Sequence, residues 1–298
     1  MIEQQDSFKE FLSFEKRYSI HTVTAYIKDI SDLSAWLNSE GFSTWKEIDS
    51  KTLRIYFSNL KEQGLEITSI NRKISTLKTF FKYLLREGLV EKNPTDKIQI
   101  LKKKKRLPYF VPEKNLEQLF DELHANLQSD DFDAVRNLLI IEIFYATGIR
   151  LSELIGIELQ NISKSPFSIK VLGKRNKERI IPLYSNLEQQ LEKYLILREN
   201  IISREDKNLL FLTKEGKRMY PKLVYNTVKG FLTQVSTNKK LSPHILRHTF
   251  ATHMLNNGAD LNAIKEILGH AGLSSTQVYT HNSISKLKEV YKNSHPRL

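Results

Sequence analysis

Five consecutive basic residues, Lys102 to Arg106, run straight into Leu107-Pro108, and this block divides the 298-residue chain more sharply than any other stretch. Like charges in a row resist packing and proline resists helix, so residues 102–110 are expected to form an extended basic linker with a separate fold on either side. Length agrees, since a domain averages roughly 150 residues. Cations outnumber acids in both parts, 20 against 14 up to Arg106 and 26 against 20 beyond it, which shares the net charge of +12 equally. Such a surplus suits two domains closing on one polyanion, and nucleic acid is the commonest one; a merely basic protein satisfies the same count.

Residues 1–101 read as a domain of amphipathic helices. After Ser19, an N-cap type, Val23, Tyr26, Ile27, Ile30, Leu33 and Leu37 recur at the spacing of one helical face. A second helix follows Asp49 with Leu53, Tyr56, Phe57 and Leu60, and stops near Gly64. A third starts near Thr68 or Ser69, carries Ile70, Ile74, Leu77, Phe81, Leu84 and Leu85 inward, and ends at Gly88. Its other faces bear Arg72, Lys73, Lys78, Lys82 and Arg86, which reads either as a phosphate-tracking surface or as a solvated face.

Residues 111–298 are mixed. Leu116–Leu127 and Val135–Ala146 are expected to be helical, the latter central to the core. Ser168–Leu172 and Arg179–Leu183 read as strands of a hairpin whose polar tip carries Lys174, and Leu209–Tyr220 as a further hairpin. Helices resume after Pro221, Pro243 and Asp260. The fold class is therefore mainly α with a small β component.

Composition excludes several function classes. Without cysteine the chain has no disulfide framework, thiolate nucleophile, iron–sulfur cluster or Cys-ligated zinc. The start Met1-Ile2-Glu3-Gln4-Gln5-Asp6 lacks a secretory signal pattern, so the cytoplasm is the expected location. Leu138–Ile149, the longest strongly apolar stretch, contains Glu142 and falls short of the roughly 20 residues that cross a bilayer, so no membrane association is expected. No Gly-x-x-x-x-Gly-Lys-Ser/Thr loop is present, and ATP is not implied.

The chemistry-bearing residues cluster in a few short motifs. In Leu241-Ser242-Pro243-His244-Ile245-Leu246-Arg247-His248-Thr249-Phe250, Ser242 suits an N-cap and Pro243 the first helical position. His244 and Arg247 then share a face beside the positive end of the helix dipole, an anion site. His244 and His248 also stand four apart, but Ile245 occupies the place where the zinc metalloprotease pattern requires Glu, and no metal is expected. Arg150, in Ala146-Thr147-Gly148-Ile149-Arg150, taken alone reads as a surface partner of Glu153. Leu268-Gly269-His270 and Tyr279-Thr280-His281 taken alone read as ordinary loop or core residues.

Taken in order, Arg150, Lys174, His244, Arg247, His270 and Tyr279, with the stretches around them, resemble the catalytic constellation of the tyrosine site-specific recombinases of the phage integrase superfamily, closest to the bacterial Xer branch. The likeness spans nearly the whole chain. It departs at Arg175, where this branch commonly has glycine after the hairpin lysine. The resemblance implies a helical, SAM-like core-binding domain over residues 1–101, a linker, and an α+β catalytic domain over residues 111–298.

It further implies a reaction without cofactor or metal. Tyr279 attacks the scissile phosphorus to form a 3′-phosphotyrosine, Arg150 and Arg247 hold the non-bridging oxygens, His244 takes the phenolic proton, Lys174 protonates the leaving 5′-oxygen, and His270 donates to the phosphate. The implied partners are double-stranded DNA, further recombinase subunits in a homo- or heterotetramer on a Holliday junction, and a DNA translocase as regulator. Chromosome dimer resolution is the implied role. An integrase of a phage or mobile element and a non-catalytic DNA-binding regulator on the same fold are the alternatives. Residues 283–293, with Ile284, Leu287, Val290 and Tyr291 at amphipathic spacing, are expected to dock on a neighbouring subunit or to fold back on their own domain.

Overall fold

The computed structural model describes residues 1–102, 109–127, 131–173, 177–201, 206–238, 241–269 and 289–296. The chain divides into two compact units, Met1–Arg106 and Leu107–Leu298.

The first unit is helical: α1 Ile2–Glu10 continuing through a π-helical turn at Phe11–Glu15, α2 Ile20–Ser39, α3 Ser50–Glu62 and α4 Ile67–Arg86. Ser19 caps α2 by accepting the Thr22 N–H at 3.4 Å, and Asp49 caps α3 by accepting the Thr52 N–H at 2.8 Å. α4 starts one or two residues before the expected position, with Glu66 at its N-cap. The core joins Val23, Ile30, Leu33 and Leu37 of α2 to Ile70, Ile74, Leu77, Phe81 and Leu84 of α4. α1, which helical spacing did not single out, adds Phe8, with Phe11 and Leu12 beyond its end.

Two expectations for α4 fail. Leu85 lies outward at 42% exposure. Lys73 is buried, because its ammonium meets Asp32 at 2.6 Å and Asp29 at 3.1 Å. Arg72 also pairs with Asp29, and Arg86 pairs with Glu15 and Glu87. Three of the five cations read as a continuous outer face are thus committed to acids within the unit.

The second unit contains α5 Glu113–Asn126, α6 Phe132–Thr147, α7 Leu151–Ile155, the strands β1 Ile162–Lys164, β2 Phe167–Leu172 and β3 Glu178–Pro182, then α8 Asn186–Glu199, α9 Pro221–Val235, α10 Pro243–Asn256 and α11 Leu261–Leu268. α6 is buried on every side, and its residues pack against α8, α9 and α10. The expected hairpin forms as an antiparallel pair with Val171 opposite Arg179 and Leu172 opposite Glu178, and β1 extends it on the other edge of β2.

The second expected hairpin, Leu209–Tyr220, does not form. Its only pairing within the segment is the single bridge Leu212–Arg218. Side chains from the helices take the backbone groups a ladder would use: Arg198 donates to the carbonyls of Lys207, Leu209 and Leu210, the Tyr194 hydroxyl donates to Leu210 O and accepts from Leu212 N, and Arg136 donates to Leu212 O.

Residues 289–294 are helical and lie against their own unit. Tyr291 is 2% exposed and stacks on His295 with ring centroids 4.9 Å apart, and His295 in turn stacks on Tyr184. Residues 283–288 of the expected docking segment lie outside the described residues. No described helix is long and apolar enough to cross a membrane.

Candidate active site

Three ends of secondary structure converge near Arg150. α6 stops at Gly148, which takes the left-handed conformation that ends a helix without a Cβ clash. Two residues later Arg150 occupies the N-cap of α7, its backbone N–H donating to Glu153 Oε2 at 2.8 Å and its Nη1 to Glu153 Oε1 at 2.7 Å. The pairing of Arg150 with Glu153 is therefore real, but it is half-buried and not a surface ion pair: the Glu153 side chain is 3% exposed and that of Arg150 33%. Arg150 Nη2 lies 3.4 Å from Gly269 O, beyond the end of α11.

Arg247 reaches the same place from α10. Ser242 stands at the N-cap without a side-chain cap bond, and Pro243 takes the first helical position. From the second turn Arg247 donates through Nη1 to Gly148 O and through Nη2 to Leu268 O, each at 2.7 Å. Leu246, Phe250 and Met254 of the same helix are buried and anchor it. His244, one turn earlier, is exposed on the Arg247 side of the helix. His248 is half-buried.

Sequence reading missed one member of the site, Arg179 at the start of β3. Its guanidinium forks onto Glu153, Nη1 to Oε1 at 3.1 Å and Nη2 to Oε2 at 2.8 Å, while Nε donates to Ile267 O at 2.6 Å. A signal was present: Arg179 falls in the strand phase of buried Ile181, and a charge in the inward phase of a strand demands a buried partner. Lys174, His270 and Tyr279 lie outside the described residues. Their flanks do not: Gly173 N donates to Lys177 O at 2.8 Å where β2 ends and β3 begins, and Gly269 immediately precedes His270.

The electrostatics follow from this geometry. Burial, then the like charge of Arg150, pushes the Arg247 guanidinium down to about 10, although Glu153 opposes the shift. Burial raises the Glu153 carboxyl, but hydrogen bonds and charge from Arg179 and Arg150 outweigh it and hold the group below its ordinary value. Among the described residues Arg150 and Arg179 thus bond to the Glu153 carboxylate, and Arg247 stands near enough to interact by charge with all three. Among the described residues no group of three or more His, Cys, Asp or Glu is placed to hold a metal ion.

The second unit, mainly helical with a small sheet, thus brings Arg150, Arg179 and Arg247 together from the N-cap of α7, from β3 and from α10. Residues 109–286 match the phage integrase family, and residues 6–88 match the N-terminal SAM-like domain of phage integrases. A tyrosine recombinase XerC from Listeria monocytogenes serovar 1/2a is 37% identical over 298 residues, covering 99% of this chain and 98% of the relative. A tyrosine recombinase XerC from Bacillus subtilis (strain 168) is 35% identical over 293 residues, covering 97% and 95%.

The fold is also that of the XerH site-specific recombinase bound to a palindromic difH substrate in a post-cleavage complex (TM-score 0.72, 22% identity, 96% of this chain and 83% of that one). A lambda integrase dimer bound to a core site has it too (TM-score 0.70, 15% identity, 94% and 99%). The chain belongs to the phage integrase family, and its activity is that of a tyrosine recombinase performing site-specific recombination.

Proposed function

We propose that this chain cleaves and rejoins double-stranded DNA at a specific site through a 3′-phosphotyrosine on Tyr279 and a Holliday junction, acting in the cytoplasm to resolve chromosome dimers. The observation that carries the reading is the pair of guanidinium groups, Arg150 and Arg247, fixed by Glu153 and by the carbonyls of Gly148 and Leu268. Guanidinium forks match the non-bridging oxygens of a phosphodiester.

In this reading the Tyr279 oxygen bonds to phosphorus as the bond to the 5′-oxygen breaks. The phenolic proton passes to His244, Lys174 protonates the departing 5′-oxygen, and His270 donates to the phosphate. Storing the cleaved bond as a phosphate ester lets a 5′-hydroxyl of the partner strand reverse the step without an external energy source. Residues 1–101 serve as the clamp on the DNA core, residues 102–110 as the linker and residues 111–298 as the catalytic domain.

Support for DNA and for further copies of the chain as partners comes from the solved relatives: XerH with difH, and lambda integrase as a dimer on a core site and as a tetramer on a Holliday junction.

The test offers the full chain a nicked suicide duplex and reads a denaturation-resistant protein–DNA adduct. The wild-type chain is expected to give the adduct and Tyr279→Phe none. Arg150→Ala and Arg247→Ala are expected to slow it by about 10²–10³, the usual cost of removing one preorganised charge donor. An adduct that persists in Tyr279→Phe rejects this nucleophile.

A further inference from the structure

Among the described residues Arg179 hydrogen-bonds to Glu153 and Ile267 rather than to Arg150, His244 or Arg247, yet three pieces of the site meet on its guanidinium. It is 4% exposed. Its two terminal nitrogens occupy both oxygens of Glu153, and Glu153 Oε1 also accepts Arg150 Nη1 at 2.7 Å. Its Nε holds Ile267 O at 2.6 Å, one residue before the carbonyl of Leu268 that accepts Arg247 and two before Gly269, whose carbonyl lies by Arg150. Gly269 packs on the guanidinium so closely that a Cβ there would stand 3.1 Å from Arg179 Nη1.

The geometry points to Arg179 as a positioning residue for strand cleavage, which sets Arg150 through Glu153 and sets Arg247 through the end of α11. The physical reason is competition for the carboxylate. A carboxylate offers two oxygens, and a lone Glu153–Arg150 pair would close into a bidentate fork that turns two Arg150 nitrogens away from a phosphate. With Arg179 bonded to both Glu153 oxygens, Arg150 makes a single side-chain bond to Glu153 and its guanidinium is aimed rather than consumed. The bond to Ile267 O fixes the last turn of α11, so the same side chain orients the carbonyl on which Arg247 rests.

The inference rests on the recombinase reading above, and its test keeps the two apart. Full-length wild type, Arg179→Lys and Arg179→Met are compared for single-turnover adduct formation on the nicked suicide duplex, for duplex affinity by titration, and for cooperative thermal unfolding. Arg179→Lys keeps the charge and loses the fork. It is expected to bind duplex as wild type does and to cleave about 10- to 100-fold more slowly, the scale of cost for a misplaced catalytic group.

Arg179→Met supplies a readout that a merely structural role would not move. Among the described residues Arg150 and Arg179 hydrogen-bond to Glu153, Arg247 interacts with it by charge, and Glu158, Lys170 and Glu178 line the same cavity; removing Arg179 takes away a fork that holds the carboxyl down and lets burial raise it. Cleavage by Arg179→Met should therefore fall more steeply than wild type as the pH is lowered from about 8 to about 6, where a raised buried carboxyl protonates. Adding Glu153→Gln to that variant should remove the extra acid dependence.

Wild-type rates in Arg179→Lys, or slower cleavage by Arg179→Met with the wild-type pH profile, overturn the assignment of Arg179 while leaving the recombinase reading intact. If Arg179→Met does not fold, the rate and affinity of Arg179→Lys decide the matter. Absence of an adduct from the wild-type chain overturns both.

Discussion

At Gly148 the backbone turns with φ of +58°, and a Cβ there would come within 2.6 Å of Phe250 Cδ1 and 2.7 Å of Leu268 Cδ2. Gly88 has a similar φ of +68° with nothing within 4 Å. Gly88→Ala therefore carries only left-handed strain, about 1 kcal/mol, whereas Gly148→Ala adds overpacking of roughly 1–3 kcal/mol on top of it. Chemical denaturation of the two variants is expected to show the larger loss at Gly148, and equal losses would show that packing plays no part there. The motif Thr147-Gly148-Ile149-Arg150 is legible in sequence for this reason: Gly148 lets α6 end against Phe250 and Leu268, so that Arg150 begins the next helix beside Arg247. The strand phase of Arg179 marks it as a buried charge but does not name its partners, because Glu153 and Ile267 stand 26 and 88 positions away.

At the scale of elements, capping and spacing located α2, α3 and α4, and the inward stripe of α4 was read correctly except at Leu85. Lys73 was misread because a buried ammonium and a solvated one look alike in sequence; only the acids on α2 distinguish them. Asp29, 1% exposed, receives Arg72, Lys73 and the Thr76 hydroxyl. Asp29→Ala leaves a buried cation short of its partner and is expected to destabilise the first unit by about 3 kcal/mol, while breaking the exposed Lys164–Glu192 pair with Lys164→Ala should cost about 0–1 kcal/mol. Both tryptophans, Trp36 and Trp45, lie in the first unit, so their fluorescence in urea follows its unfolding separately and checks the first value. Circular dichroism at the later or earlier transition checks the second. α8 escaped notice because its buried stripe, Leu187, Leu191 and Tyr194, continues into Arg198, a charge that only the carbonyls of residues 207–210 make tolerable.

At the scale of the molecule, the basic surplus divides evenly between the units. If both contact phosphates, duplex affinity must fall steeply with salt, by about 10³ or more between 50 and 200 mM for the six or so contacts such a protein makes. Filter binding or anisotropy at several salt concentrations measures the slope, and salt-insensitive binding would contradict a DNA-directed role for the charge.

The sequence by itself determined the two-part helical organisation, the hairpin of β2 and β3, the absence of thiol chemistry and the motifs by which the chain resembles its family, because these depend on local spacing, caps and residue identity; the same signals also predict a hairpin over residues 209–220, which does not form. Tertiary structure alone decided that Glu153 and Arg179 share an interior ion cluster with Arg150, that residues 209–220 bond to helix side chains in place of a ladder, and that Tyr291 lies in the core of its own unit. Each of these is a contact between distant segments, whose energy comes from burial and charge pairing across the fold and leaves no periodic trace along the chain.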